Sequence, residues 1–413
     1  MWDAIVVGAG PAGCAAATLL ARGGLRVTLL DKSAAPPSKV CGEYLSPGCL
    51  RILDRIGALL PVRDAGARPL SGMLIHTVAG RCLRATFPRG HALRNVPSHG
   101  LAIRRGRLDP ILLDLAIKAG AEYAPNFQVS DLLWQTGRVS GVRGRHRGGP
   151  ETLRGRLVIG ADGRNSVVAR RLGTVRRHPW LDKIALVGYV SGLTRAKDVG
   201  EIFLGRDRYC ILNPITPDLT NIGLVINRCE FQPRPDPTGF LLEASATLGG
   251  LRDRLAGARL VAPVRRLGPL AHRATRLAAP GALLVGDAAG FLDPFTGEGI
   301  HAALLSAELA AESARPALLS DPGGPPELTG YAVAWQREFR TKWRLCTVLQ
   351  QAIRHPFVAE WLVSCLAARP ALTRLLMAAV GDLIPAEHLH PLGLLARLLG
   401  GQEPPGGCPA NPE

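Results

Sequence analysis

The sequence predicts an α/β fold in which a domain built on a parallel sheet is split along the chain, an antiparallel sheet domain is inserted into it, and helices close the carboxyl end. Three observations predict it. The amino end alternates a short apolar strand (residues 4–7), an Ala-rich helix (11–22) and a second strand (26–30), the opening of a parallel sheet. Residues 183–227 change to short strands separated by turns, the pattern of an antiparallel meander. A short apolar strand at 282–285 then returns, so the first domain is completed by a late segment.

The remaining elements fit between these. A helix is expected near 47–60, alternating strand-like sequence at 71–87, a helix at 108–119, and strands at 127–133, 139–142 and 153–159. The meander divides into strands at 184–190, 201–204, 209–212 and 222–226, followed by a helix at 238–247 and a strand at 264–269. Beyond 321–326 the chain reads as helical to residue 399, cut by Pro356, Pro370, Pro385 and Pro391. The first domain therefore takes residues 1–70, 101–178 and 273–330, and the inserted one 71–100 and 179–272. A helical region at 331–400 and a disordered tail at 401–413 complete the chain.

The 413 residues, 47% apolar and 20% charged, are enough for two packed domains and exclude a collagen, a disordered protein or a disulfide miniprotein. Fifty Lys and Arg against 33 Asp and Glu give a net charge of +17, which calls for a local patch if nucleic acid or lipid is the partner. The densest patch, 138–156, holds six Arg and one His between strand-like flanks. With no interleaved aromatic for base stacking it reads as a solvated hairpin, and no nucleic-acid partner is predicted. Nine Cys without a CxxC pair, and a first strand within three residues of Met1, predict a cytoplasmic protein without a signal peptide. No run of 18 apolar residues predicts a membrane-spanning helix, no metal site is predicted, and nothing sets the oligomeric state.

Gly8, Gly10 and Gly13 form GAGPAG between the first strand and the helix, with Ala12 inside the motif. Gly8 makes the tight turn, Gly10 lets a pyrophosphate approach the backbone, and Gly13 lets helix and strand pack. Asp31, followed by Lys32, ends the second strand 18 residues after Gly13, where a carboxylate would bond a ribose hydroxyl. Two further segments carry information: 157–171 reads LVIGADGRNSVVARR, and 282–303 reads ALLVGDAAGFLDPFTGEGIHAA. No second GxGxxG occurs, so no separate nicotinamide domain is expected.

GAGPAG, the Asp-Gly pair at Asp162 and Gly163, and the Gly-Asp pair at Gly286 and Asp287 follow one another in the order and spacing of a known family. Over about residues 1–310 the chain resembles the FAD-dependent oxidoreductases that include geranylgeranyl reductases and p-hydroxybenzoate hydroxylase, the group A flavoprotein monooxygenases. The resemblance implies a split Rossmann-type FAD-binding domain, an antiparallel β-sheet substrate domain and a helical C-terminal region. It also implies non-covalent FAD, with NAD(P)H or another reductant as electron donor.

By the same resemblance, Asp287 holds the ribityl chain, Gly297, Gly299 and Ile300 meet the flavin pyrimidine edge, and Arg105 and Val129 reach the cofactor. Asp162 either belongs to this set or caps a strand-to-helix turn. KVCGEYLSP, residues 39–47, looks like the reductase-branch segment that typically reads Cys-Gly-Gly, with Glu43 in place of the second Gly. Cys41 and Gly42 would then border the flavin. Tyr209 to Pro214 stands where that branch carries Tyr-x-Trp-x-Phe-Pro, and His301 where many hydroxylases have Asn. No Trp-x-Trp-x-Ile-Pro element occurs, which speaks against a halogenase.

The expected activity is reduction of carbon-carbon double bonds in an apolar prenyl or polyketide-like molecule. The alternative is a monooxygenase that uses NAD(P)H and O2 to hydroxylate an aromatic or polyketide substrate. Candidate catalytic residues are Cys41, as a flavin neighbour or a buried apolar residue; Glu43, as a general acid or a surface carboxylate; and Tyr209, as a substrate contact or a strand aromatic. The Trp- and Leu-rich helices after Trp335 are expected either to cap the substrate cavity or to make a peripheral membrane contact.

Overall fold

The computed structural model describes residues 1–35, 39–89, 96–193, 198–231, 237–320 and 328–384. Pro385, Pro391 and the expected disordered tail lie outside the described residues.

The parallel sheet is assembled from distant stretches of chain. Trp2–Val7 sits between Val27–Leu30 and the carboxyl half of Gly149–Gly160, with Glu122–Ala124 beyond the former and Ala282–Leu284 beyond the latter. Strands covered on both faces must be apolar throughout, and Ile5, Val6, Leu157, Val158, Ile159, Leu283 and Leu284 are fully buried. The helix Pro11–Arg22 packs against both Gly299–Ser320 and Arg105–Lys118, and its Ala15, Ala16 and Ala17 leave room for close approach.

The amino half of Gly149–Gly160 pairs with Arg138–His146 instead, turning at Arg147 and Gly148 in left-handed conformations. The Arg-rich segment is therefore a hairpin. The helix expected over 47–60 is divided into Pro47–Arg55 and Leu59–Asp64, because Gly57 between them takes a φ of +75°. The helix expected from 108 starts earlier, at Arg105.

In the inserted domain, Lys183–Ser191, Thr220–Asn227, Tyr209–Pro214 and Val199–Leu204 pair antiparallel in that order. Gly72–His76 then adds parallel to Val199–Leu204, and Cys82–Thr86 closes the edge. Alternation along each strand separates two faces. One carries Ile184, Leu186, Phe203, Leu212 and Leu224 against Leu241 and Leu251 of the following helices. The other turns Ala185, Ile202, Leu204, Tyr209 and Val225 towards Ile353 and Ala359 of the carboxyl-terminal helices. Ile75, Val187, Ile211, Leu267, Phe291 and Phe295 border this second face and are only partly buried, leaving an apolar wall that is not fully covered.

The carboxyl-terminal helices are Thr329–Arg354, Pro356–Ala368 and Pro370–Val380. They break where the sequence places proline, because His355 and Arg369, each before a proline, are forced out of the helical region to ψ of 100° and 81°.

Candidate functional site: a dinucleotide cradle beside a clamped segment

The first strand runs into Gly8, at a φ of +105°. A Cβ at Gly13 would stand 1.8 Å from the Gly8 carbonyl oxygen, and one at Gly8 2.5 Å from that of Ala161, so only glycine closes this turn. Gly10 differs: a Cβ there would meet only the Lys39 ammonium, at 3.2 Å. An open cradle thus lies at the amino end of a 12-residue helix with a cation over it, which suits a pyrophosphate. Lys32, by contrast, is exposed. Asp31 is buried and accepts the Ala9 and Ser33 N–H groups at 2.8 Å each, keeping lone pairs for ribose hydroxyls. Val129 is buried two residues after Phe127, whose N–H bonds the Asp31 carbonyl.

The late strand Ala282–Leu284 leads into Gly286, with a φ of +58°, whose Cβ would meet that of Ala12 at 2.9 Å and whose N–H donates to Ser306 Oγ at 2.8 Å. The Asp287 carboxylate beside it has no hydrogen-bond donor among the described residues. Burial pushes its pKa up, and His272, Arg105, Lys39 and Arg164 favour its charged form. A carboxyl acceptor lacking a donor fits the ribityl hydroxyls of FAD. Gly297, at a φ of +70°, leaves the space that a Cβ would take from the Tyr44 ring. Gly299 and Ile300 begin a 22-residue helix, whose amino end favours negative charge on a neighbouring ring. Asp162 is committed elsewhere, because its carboxylate accepts Ser166 Oγ at 2.5 Å and the Val167 N–H at 2.6 Å and so anchors the helix Val167–Arg171. What Asp162 brings to the cradle is backbone, pressed against Gly8.

Residues 41–43 are gripped by the antiparallel sheet. Tyr189, Asn221 and Asn213 are cross-strand neighbours on one face. Asn221 Nδ2 donates to the Cys41 carbonyl at 3.1 Å, Asn213 Nδ2 to that of Gly42 at 2.8 Å, and the Tyr189 hydroxyl to Glu43 Oε1 at 2.5 Å. The Arg105 N–H reaches the same Oε1 at 2.9 Å, while the Arg105 guanidinium makes a bidentate pair with Asp109. Glu43 is not a surface carboxylate: it is 1% exposed, has a φ of +56°, and its Oε2 is buried without a partner. Burial raises its pKa against the bonds from Tyr189 and Arg105, so it keeps a proton to higher pH than an ordinary carboxyl. Burial also pushes the Cys41 thiol up, against the nearby Arg105, which keeps it a neutral thiol at neutral pH. Gly42 is exposed, with open space where a side chain would be.

Tyr209 shares the sheet face of Ile211 and Asn213 but is covered by the carboxyl-terminal helices. It is fully buried and donates to Asp293 Oδ1 at 2.5 Å, which also accepts the Phe295 N–H and Gln350 Nε2 at 2.9 and 2.7 Å. Tyr209 is thus a positioning residue that holds the loop leading to Gly297 and Gly299. Burial raises the Asp293 pKa to about 6, against the pull of Lys183 and the Tyr209 bond. Because the folded state holds this proton more tightly than the unfolded one, the group's contribution is fully present below about pH 4 and is lost as pH rises through about 6, on the order of 3 kcal/mol. Asp293→Asn is therefore expected to raise the thermal midpoint at pH 8 and to leave it almost unchanged at pH 4. Equal shifts at both pH values would remove Asp293 as the source.

His301 is buried, with Nδ1 at 3.1 Å from Asp382 Oδ1. Burial and the Lys342 charge hold its pKa well below the usual range, so the ring is neutral and acts in packing. Asp382 also takes Lys342 Nζ on Oδ1 and Ser46 Oγ, at 2.6 Å, on Oδ2. Sequence reasoning missed Lys39, Tyr189, Asn213, Asn221 and the Ser46, Lys342 and Asp382 partners around His301. The available signal was two Asn inside otherwise apolar strands, since a buried amide needs a partner.

Comparison with known proteins agrees with the geometry. The family model described as "FAD binding domain" matches residues 1–312. Digeranylgeranylglycerophospholipid reductase 1 of Methanococcoides burtonii is 30% identical over 351 residues, 82% of this chain and 80% of that protein. Digeranylgeranylglycerophospholipid reductase 2 of Methanopyrus kandleri is 29% identical over 353 residues, 82% of this chain and 83% of that one. Among solved structures, the flavin-dependent brominase Bmp2 superposes with a TM-score of 0.82 at 18% identity, covering 96% of both chains, a likeness of fold alone. A Gly-lined cradle, an unpartnered Asp287 and a family match over three quarters of the chain place this protein among the FAD-dependent oxidoreductases that unite geranylgeranyl reductases with p-hydroxybenzoate hydroxylase-type monooxygenases.

Proposed function

We propose that the chain reduces carbon-carbon double bonds of an apolar, prenyl-bearing lipid or a polyketide-like molecule. The observation that carries this reading is the buried Glu43 carboxyl, with one oxygen uncompensated and the other bonded to Tyr189, beside the apolar wall of Val187, Ile211, Phe291 and Phe295. The names of the archaeal relatives point to the same substrate class.

Reduction of a double bond adds a hydride to one carbon and a proton to its neighbour. Bound FAD, recharged by NAD(P)H or another reductant, supplies the hydride. The chain's residues handle the proton. Tyr189 is partly buried, and its strand position puts it on the face that carries Val187, between Glu43 and the wall. A proton given by the phenol to the substrate carbon is replaced from the Glu43 carboxyl, and solvent reloads Glu43. Asn213 and Asn221 keep Cys41 and Gly42 in place while Gly42 leaves an open side for the reacting groups.

Glu43→Gln preserves the bonds from Arg105 and Tyr189 but cannot supply the proton. It is expected to slow substrate-dependent reoxidation about 100-fold or more, while reduction by the donor stays near wild type. In wild type the same half-reaction should fall as pH rises through the raised Glu43 pKa, and this limb should vanish in the variant. The measurement is paired half-reactions with digeranylgeranylglycerophospholipid in detergent micelles, and the product's mass is read at the end. Unchanged rates would dismiss Glu43 as the acid. A product heavier by one oxygen atom, rather than by two hydrogens, would select monooxygenation.

A further inference from the structure

The junction between the helices Thr329–Arg354 and Pro356–Ala368 lies far from the cradle in sequence and carries an uncovered apolar tip. Phe357 is 90% exposed, and Val358 and Trp361, on the same helical face, are 44% and 41% exposed. Arg206, Asp207, Arg354, His355 and Pro356 line a recess of about 540 Å³ together with Phe357. Asp207 is already neutralised, with one oxygen 3.0 Å from Lys183 Nζ and the other accepting Asn227 Nδ2. The neighbouring Glu360 is turned inward onto the Thr77 hydroxyl and the Ala79 N–H. Arg206 and Arg354 have no acidic partner among the described residues, so the recess presents two uncommitted guanidinium groups beside a protruding aromatic.

We propose that this junction is a peripheral docking surface for an anionic phospholipid bilayer, with Phe357 and Trp361 entering the interface and Arg206 and Arg354 holding lipid phosphates. Exposed aromatics ringed by arginine are what a negatively charged interface recognises, because the rings gain an apolar surround while the guanidinium groups stay at headgroup depth. No single helix among the described residues is long and apolar enough to cross a membrane, and Pro356–Ala368 is bent by 111° against Pro370–Val380. The position of the junction gives it a use. Ile353 and Ala359, on either side of the exposed tip, pack into the cluster of Ile202, Leu204 and Tyr209 that continues into the apolar wall. One layer of helix separates the docking tip from that wall. The proposal does not depend on which bond is reduced.

The test is co-sedimentation of the full chain, loaded with FAD, with phosphatidylcholine vesicles that do or do not contain phosphatidylglycerol. Wild type is expected to sediment preferentially with the phosphatidylglycerol vesicles. Replacing Arg206 and Arg354 by Ala should weaken that binding about 30-fold, roughly fivefold per charge, and abolish the preference. Phe357→Ser with Trp361→Ser should weaken binding about tenfold or more. All variants should keep their flavin content and their turnover of micellar substrate, which separates a failure here from a failure of the reductase reading. Vesicle binding that ignores these substitutions would overturn the proposal. So would a dimer in solution that dissociates on Phe357→Ser, because the tip would then be a contact between copies.

Discussion

Gly10→Val is expected to yield a folded protein that purifies without yellow colour. A Cβ at this position meets only the mobile end of Lys39, so the fold tolerates it, but the two methyl groups occupy the space in which a pyrophosphate would lie. Gly13→Ala sets the contrast, because its Cβ would overlap the Gly8 carbonyl in the fold itself, and the expected outcome is insoluble protein. Asp287→Ala belongs with the first variant: losing one charge-assisted hydrogen bond costs roughly 1.5–3 kcal/mol, about 10- to 150-fold in FAD affinity. Flavin absorbance per chain and far-ultraviolet circular dichroism distinguish the three. Full flavin occupancy in Gly10→Val would remove the cradle from the FAD site.

Lys342→Met is expected to destabilise the chain by about 3–5 kcal/mol, because it leaves the Asp382 carboxylate buried with only Ser46 and the neutral His301 ring beside it. Burial already lowers the Lys342 pKa, with Glu298 and Glu338 pulling it back up, so the ammonium depends on its surroundings. Since His301 is two residues after Gly299, the damage should reach the flavin edge as weaker FAD retention. Replacing Asp382 by Leu in the same chain removes the orphaned charge and should recover much of the loss. Chemical denaturation of the two variants and the double variant measures the coupling. A Lys342→Met midpoint equal to wild type would mean that the cluster contributes nothing.

The part of the site that was legible in the sequence is the part made by local chain. Gly8, Gly10, Gly13 and Asp31 lie within one β-α-β unit, where spacing alone sets their geometry. The late Gly286–Asp287 pair was readable because an apolar strand leads into it. The clamp on residues 41–43 was not readable. Asn221 and Cys41 are 180 positions apart, and their contact depends on the register of strands that a one-residue slip would turn inside out. Glu43 was hidden for a different reason: its left-handed backbone at +56° belongs to the conformational range of glycine, so neither its burial nor its aim follows from residue type. Tyr209 was read as a substrate contact or a strand aromatic; it stands on the face of the apolar wall, but alternation along a strand does not say that helices from the far end of the chain cover that position.

The order of strands in the parallel sheet also governs what happens on the ribosome. The glycine turn is made among the first residues, yet the backbone that closes over it belongs to Ala161 and Asp162, and the neighbouring strand and helix arrive only with residues 282–300. At about 5–20 residues per second, roughly 15–60 s separate synthesis of the turn from synthesis of its last wall. Val27–Leu30 is available to the amino-terminal strand at once, but its other parallel neighbour waits for residues 149–160 and the strand and helix beyond that for residues 282–300, so the apolar face and open edge of the growing sheet must be shielded by the translation machinery or by chaperones. FAD capture is therefore a late event in biosynthesis, and a chain released before residue 300 would carry the complete glycine motif without being able to hold the cofactor.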